Sequence, residues 1–216
     1  MDIIDFKKLP LMGILRGVPP EAVFKTFEAA GEAGLKTVEI TLNTAGAYNL
    51  IRKVREEFSP QINIGAGTVL TLDDTKKAID CGATFIVMPV AKEDVIGYCR
   101  KNRIPVFPGA LTPSEIYQAW QWGAAMVKVF PAGVFGPKYL STVKGPFSDI
   151  ELMPVGGVTK YNIAEYFRNG AAAVAFGASI FNLAEIEAGN FVTIKNKIKE
   201  LVVSVKKILS GNGDNQ

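Results

Sequence analysis

Met126-Val127-Lys128-Val129-Phe130-Pro131 sets one lysine between two valines, with no acid adjoining it in the sequence. As a strand, the run turns Val127 and Val129 to one face and Met126, Lys128 and Phe130 to the other. Thr37-Val38-Glu39-Ile40-Thr41-Leu42-Asn43 has the same construction. Val38, Ile40 and Leu42 form an apolar face, and Thr37, Glu39, Thr41 and Asn43 a polar one. A lysine attacks a carbonyl only when neutral, and at its ordinary pKa of about 10.4 roughly one in a thousand is neutral at pH 7. Burial in an apolar interior lowers that pKa and produces an amine able to form an imine. A carboxylate beside it could move the protons that imine chemistry requires. Structural alternatives stand beside this chemistry: Lys128 snorkelling from a strand end, or Glu39 held in a salt bridge to Lys128 or Arg16. A resting ion pair does not exclude catalysis, since substrate can open it.

Glycines supply a second constellation. Gly156-Gly157 and Gly177-Ala178-Ser179 each close an apolar, strand-like run. Exposed backbone N–H groups at such positions can cradle a phosphate; the alternative is ordinary turn chemistry. Gly65-Ala66-Gly67-Thr68 could let a substrate lie close to the backbone, or could reflect tight packing. The chain contains no histidine, which removes His-based triads and His metal sites. Trp120 and Trp122 fall on a helical stretch and are assigned to packing or a subunit contact.

These groups must be positioned by regular elements, and the sequence marks them well. Strand-like runs centre near Ile14, Val38, Ile64, Ile86, Phe107, Val127, Met153 and Val174. Helical spacing fills the intervals, including 22–33, 47–58, 72–81, 92–101 and 113–122. Pro19-Pro20, Thr71 and Thr112-Pro113-Ser114-Glu115 mark helix starts, and Gly34, Gly82, Gly123 and Gly170 mark stops. Apolar residues at Phe191, Ile194, Ile198, Leu201, Val202, Val205 and Leu209 predict a long final amphipathic helix. Eight strands alternating with helices predict a single (β/α)₈ TIM barrel over residues 1–210, followed by a polar tail at 211–216. A doubly wound open sheet is the second choice, but the turn after the first strand lacks a Gly-x-Gly-x-x-Gly pattern. In a barrel, function gathers where strands end and βα loops begin, and the two glycine stretches fall after strands seven and eight, where phosphate commonly binds.

The 216-residue chain is 48% hydrophobic and 21% charged, with a net charge of +3. That balance gives no footprint for nucleic acid, though it is compatible with an anionic small molecule. Two cysteines without a pairing motif, no apolar run long enough to span a bilayer and no signal-like start predict a soluble cytoplasmic protein.

Leu15-Arg16, Glu39-Ile40-Thr41-Leu42, Gly65-Ala66-Gly67-Thr68-Val69, Met88-Pro89, Phe107-Pro108-Gly109, Lys128-Val129-Phe130-Pro131-Ala132, Lys144-Gly145-Pro146-Phe147 and Gly156-Gly157-Val158 occur in that order. Their order and spacing resemble the 2-keto-3-deoxy-6-phosphogluconate (KDPG) / 4-hydroxy-2-oxoglutarate (KHG) aldolase family, from about Pro10 to Phe181. The resemblance implies a class I aldolase needing no metal or other cofactor. It would be a homotrimer cleaving a phosphorylated 2-keto-3-deoxy acid to pyruvate and an aldehyde. By the same resemblance, Lys128 is the Schiff-base lysine and Glu39 the acid–base carboxylate. Thr68, Pro89 and Phe130 would wall the pyruvate, and Gly156, Gly157, Gly177, Ala178 and Ser179 would hold the phosphate. Arg16 would reach the distal part of the substrate.

Two positions depart from the family pattern. Asn43 stands where many members have an arginine that holds the pyruvate carboxylate, so anchoring must use backbone N–H groups or another residue. Val155-Gly156-Gly157 replaces a familiar Thr-Gly-Gly. With Leu42-Asn43 and Phe135-Gly136-Pro137, it resembles the galactonate branch, which acts on the C4 epimer. Two rivals remain: an isomerase or epimerase on a phosphate-binding barrel, and a non-catalytic barrel that binds a phosphorylated metabolite.

Overall fold

The computed structural model describes residues 1–211; the remainder of the polar tail expected at 211–216 lies outside the described residues. The chain opens with α1 (Ile3–Lys8) and β1 (Leu11–Leu15). It continues through α2 (Pro20–Glu32), β2 (Thr37–Thr41), α3 (Ala47–Phe58), β3 (Asn63–Gly67), α4 (Leu72–Asp80), β4 (Ile86–Val87) and α5 (Glu93–Lys101). Next come β5 (Val106–Phe107), β6 (Gly109–Ala110), α6 (Pro113–Trp122), β7 (Val127–Val129), a 3₁₀ turn (Ala132–Val134) and α7 (Lys138–Lys144). The chain ends with β8 (Leu152–Pro154), α8 (Ile163–Arg168), β9 (Val174–Phe176), α9 (Leu183–Glu187) and α10 (Phe191–Leu209).

The strands pair in parallel as a six-stranded sheet, β5-β4-β3-β2-β1-β9, and a three-stranded sheet, β6-β7-β8. β5 and β6 are consecutive pieces separated by Pro108, a residue with no N–H to give to a ladder. Isolated parallel bridges link Leu152 to Ala171 and Val155 to Ala175, on the β8 and β9 segments. The result is an α/β fold with a curled parallel sheet.

Both strand faces are buried, which explains their composition. Val38, Ile40, Val127 and Val129 belong to the core between sheet and helices. The opposite, concave face carries a second cluster that includes Met12, Ile14, Phe85, Phe107, Met126, Met153 and Val155. The polar faces read from the sequence therefore turn inward: Thr37, Glu39, Thr41 and Lys128 are all buried.

Local signals act as expected at the helix ends. Thr71 Oγ1 accepts from Asp74 N at 3.0 Å, and Thr112 and Glu115 form a reciprocal capping box. Helix α1 was not anticipated. Its Phe6 meets the Phe107 ring edge-on at 5.9 Å, its flanking Met1 amino group donates to Thr84 O, and Lys7 pairs with Glu151. Thr84 and Glu151 precede β4 and β8, so α1 closes the end of the sheet opposite the βα loops.

Space on the concave face is rationed by glycine. Gly65, paired in register with Glu39, has the Phe85 ring where its side chain would be. Gly65→Ala should therefore overpack this face and cost about 1–3 kcal/mol of stability, read as a lowered denaturant midpoint. An unchanged midpoint would mean that the Phe85 ring can step aside.

Candidate active site

Lys128 sits mid-strand in β7, its N–H donating to Pro108 O at 2.9 Å and its neighbours facing the outer core. The alternation leaves its side chain on the concave face, 3% exposed. Burial pushes its pKa down; the nearby Glu39 opposes that shift and Arg16 reinforces it. The Lys128 Nζ lies 5.1 Å from the centre of the Phe130 ring.

Glu39, in β2, is 0% exposed. Among the described residues neither of its oxygens has a hydrogen-bond partner, so no hydrogen-bonded ion pair holds it. Burial raises its pKa to about 7, against the pull of Lys128 and Arg16 in the other direction. A side chain on Gly67 of β3 would collide with Glu39 Oε1, so the absent Cβ there is what accommodates the carboxyl. An amine whose pKa is lowered by burial, beside a carboxyl titrating near pH 7, can exchange protons with it and with a bound carbonyl compound.

A cavity of about 420 Å³ opens at the C-terminal ends of the strands. It brings together Arg16, Lys128, Phe130, Val155, Gly156, Gly157, Gly177, Ala178 and Ser179. Gly156 and Gly157 are both left-handed, with φ of 88° and 82°, a pairing that side-chain-bearing residues rarely adopt. Ser179 Oγ donates to Val158 O at 3.1 Å and ties the loop after β9 to the loop after β8. Thr68 adjoins this group through Arg16, whose Nη2 donates to its Oγ1 at 3.4 Å. Thr68 itself has φ 56°, an unusual value for a β-branched residue and a sign that its placement is enforced.

Pro89 lies elsewhere, in a second cavity of about 270 Å³ that shares Phe130 with the first. Phe130 is thus a partition, 38% exposed. Asn43 is exposed and lines neither cavity, and Glu39 does not reach the larger cavity's surface. Sequence reasoning missed the apolar walls Phe176, Phe181 and Leu183, which look like ordinary core and helix residues. It also missed a pin beneath Arg16: Thr41 Oγ1 donates to Leu15 O and lies 3.1 Å from Thr44 Oγ1, which accepts from Gly17 N. The polar face of β2 held the signal, because Thr41 repeats Glu39's side of the strand. Among the described residues no cluster of three His, Cys, Asp or Glu side chains could hold a metal ion. No helix among them is long and apolar enough to cross a membrane.

The raised Glu39 pKa has a consequence for stability. Between its ordinary 4.5 and about 7, the folded state holds a proton that the unfolded state has lost. The stability this group gives is complete below about 4.5 and is lost as the pH rises through 7. Glu39→Gln cannot titrate, so its Tm should gain on wild type from pH 5 to pH 8, on the order of a few degrees. A gap independent of pH would place Glu39 at an ordinary carboxylate pKa.

The family model described as KDPG and KHG aldolase matches residues 3–197. A 2-dehydro-3-deoxy-6-phosphogalactonate aldolase of Escherichia coli is 34% identical over 179 residues, spanning 82% of this chain and 87% of that one. A 2-dehydro-3-deoxy-phosphogluconate aldolase of Pseudomonas aeruginosa is also 34% identical, over 174 residues, 80% of this chain and 79% of the other. Among solved structures, KDPG aldolase from Legionella pneumophila, with pyruvate captured as a covalent carbinolamine, matches with a TM-score of 0.84. Its identity is 27%, over 91% of this chain and 95% of that one. On the extent of these matches, the chain belongs to the KDPG and KHG aldolase family and is an aldolase, a lyase.

Proposed function

We propose that Lys128 is the imine-forming residue of a class I retro-aldol reaction on a phosphorylated 2-keto-3-deoxy acid. The observation that carries this reading is a lysine buried on the concave face, its pKa lowered, beside a carboxyl that titrates near neutrality. The neutral Lys128 amine adds to the C2 ketone to give a carbinolamine, which loses water to form a protonated imine. Glu39, directly or through a water, takes the proton of the C4 hydroxyl. The C3–C4 bond breaks, its electron pair passes into the imine as an enamine, and the aldehyde leaves. Protonation of the enamine at C3 and hydrolysis of the imine then release pyruvate and restore Lys128.

Phe130 and Thr68 are assigned to the pyruvate end. The backbone at Gly156, Gly157, Gly177 and Ala178, with Ser179, is assigned to the phosphate, which contributes alignment. Pro89, across the Phe130 partition, is assigned to backing that wall. The substrate is KDPG, with 4-hydroxy-2-oxoglutarate as a smaller relative, or the galactonate-derived C4 epimer. Val155 in the cavity wall favours the galactonate form, because an apolar side chain cannot hydrogen-bond a hydroxyl that a threonine would select.

The same reading takes residues 1–210 as one domain whose two sheets are parts of a single closed (β/α)₈ barrel. The continuity of β5 and β6 across Pro108 and the bridges between the β8 and β9 segments support closure. A cytoplasmic homotrimer fits the family, and exposed Val134 and Phe135 beside the site offer apolar surface for subunit contact.

Pyruvate with borohydride should add one covalent adduct, mapped to Lys128 and lost in Lys128→Ala. An adduct on Lys138 or Lys160 instead, or none, would refute the imine assignment. Val155→Thr should shift the ratio of kcat/KM for the two epimers towards the gluconate one, by about 1 kcal/mol for one net hydrogen bond. Cleavage of both epimers, with pyruvate coupled to lactate dehydrogenase, measures it. Strict gluconate selectivity already in the wild type would reject the role given to Val155.

A further inference from the structure

Glu39 and Thr37 lie two residues apart on the inward side of β2, and both are buried. Among the described residues, neither Glu39 oxygen has a hydrogen-bond partner, and neither does Thr37 Oγ1. A carboxyl and a hydroxyl so close along one strand face would gain by bonding to each other. The carboxyl instead leans the other way. Glu39 is paired in register with Gly65, yet its Oε1 lies against the place of a side chain on Gly67, the partner of Thr41. It therefore reaches along the sheet towards the strand ends, where the larger cavity opens.

Phe85 occupies the space into which that carboxyl would otherwise settle. Its ring edge fills the position of a side chain on Gly65, level with Glu39. Phe85 is buried and lines neither cavity, so it does not touch what the cavities hold. The ring is itself held: Phe107 meets it edge-on at 5.9 Å, and Phe6 of α1 meets Phe107 edge-on at 5.9 Å. Aromatic pairs favour this edge-to-face arrangement, so the column keeps each ring's tilt as well as its place. It runs from the helix that closes one end of the sheet up to the carboxyl. Gly67 leaves room for Glu39 on the cavity side, and Phe85 removes room on the other.

We infer that Phe85 is a positioning residue: its ring, backed by Phe107 and Phe6, keeps the Glu39 carboxyl off Thr37 and turned towards the cavity. This rests on the reading of Glu39 as the acid–base group. A displaced general base loses rate although its chemistry is unchanged, because proton transfer requires hydrogen-bond reach. Phe85 has no part in binding, so the loss falls on turnover.

The test is kcat for cleavage, with the pyruvate concentration that half-saturates borohydride trapping at Lys128, in wild type, Phe85→Leu, Glu39→Gln and the double variant. Phe85→Leu should lower kcat on the order of 10-fold while half-saturation stays within about threefold. In the Glu39→Gln background the same substitution should change kcat by less than about twofold, because the group it positions is gone. Adding Gly65→Ala to Phe85→Leu should return kcat to within about threefold of wild type, since the methyl takes the place that the ring edge left. Phe6→Leu disturbs the column from its outer end and provides the test should Phe85→Leu not fold. It should lower kcat by about twofold to fivefold, again only where the Glu39 carboxyl is present. Equal losses of kcat with and without that carboxyl would overturn the inference in favour of a general loosening of the sheet. Unchanged kcat in Phe85→Leu would overturn it outright. Wild-type cleavage by Glu39→Gln would remove the acid–base reading, and this inference with it.

Discussion

A carboxyl group buried without a hydrogen-bond partner is costly, and Glu39 is one. Much of the concave face can be read as a response to that constraint. Thr37 and Thr41 flank Glu39 on the same side of β2, and Gly67 on β3 leaves out the side chain that would crowd it. Lys128 answers it across the curled sheet with a charge that is itself disfavoured by burial. Burial raises the Glu39 pKa and lowers that of Lys128, so the two are shifted towards each other. Under the proposed reading, that poor solvation is what would suit the pair to chemistry.

The larger cavity is polar in patches and apolar in its walls. Phe130, Phe176, Phe181 and Leu183 line its sides, while the paired glycines and Ser179 lie at one end. Arg16 spans from β1 towards β3 and its charge acts on Lys128. That division suits a substrate with two anionic ends and a ketone close to one of them. The loops are tied to each other by Thr44–Gly17 and Ser179–Val158, so alignment comes from backbone pins.

Much of this was legible in the chain itself. Period-2 alternation located β2 and β7, and the caps at Thr71 and Thr112 fixed helix starts close to the residues observed. The apolar stripe from Phe191 to Leu209 matches α10 in full. These signals are local, since they depend on which backbone groups need a partner within one turn or one strand. The alternation also told that Glu39 and Lys128 would share a face, because side-chain period along a strand is fixed by geometry.

What the tertiary structure decided are relations between segments far apart in sequence. Helix α1 is too short to announce itself, and its place comes from Phe6 meeting a ring about a hundred residues away. Asn43 continues the polar face of β2, yet it lies in solvent beyond the strand end, and Pro89 falls behind Phe130 in a separate cavity. The direction of the Arg16 side chain depends on which strands neighbour β1, a fact of sheet order that no spacing encodes. Alone, the sequence determined the elements, the facing of their side chains and the family; pKa shifts, partitions and reach depend on the dielectric and distances that appear once the sheet has curled.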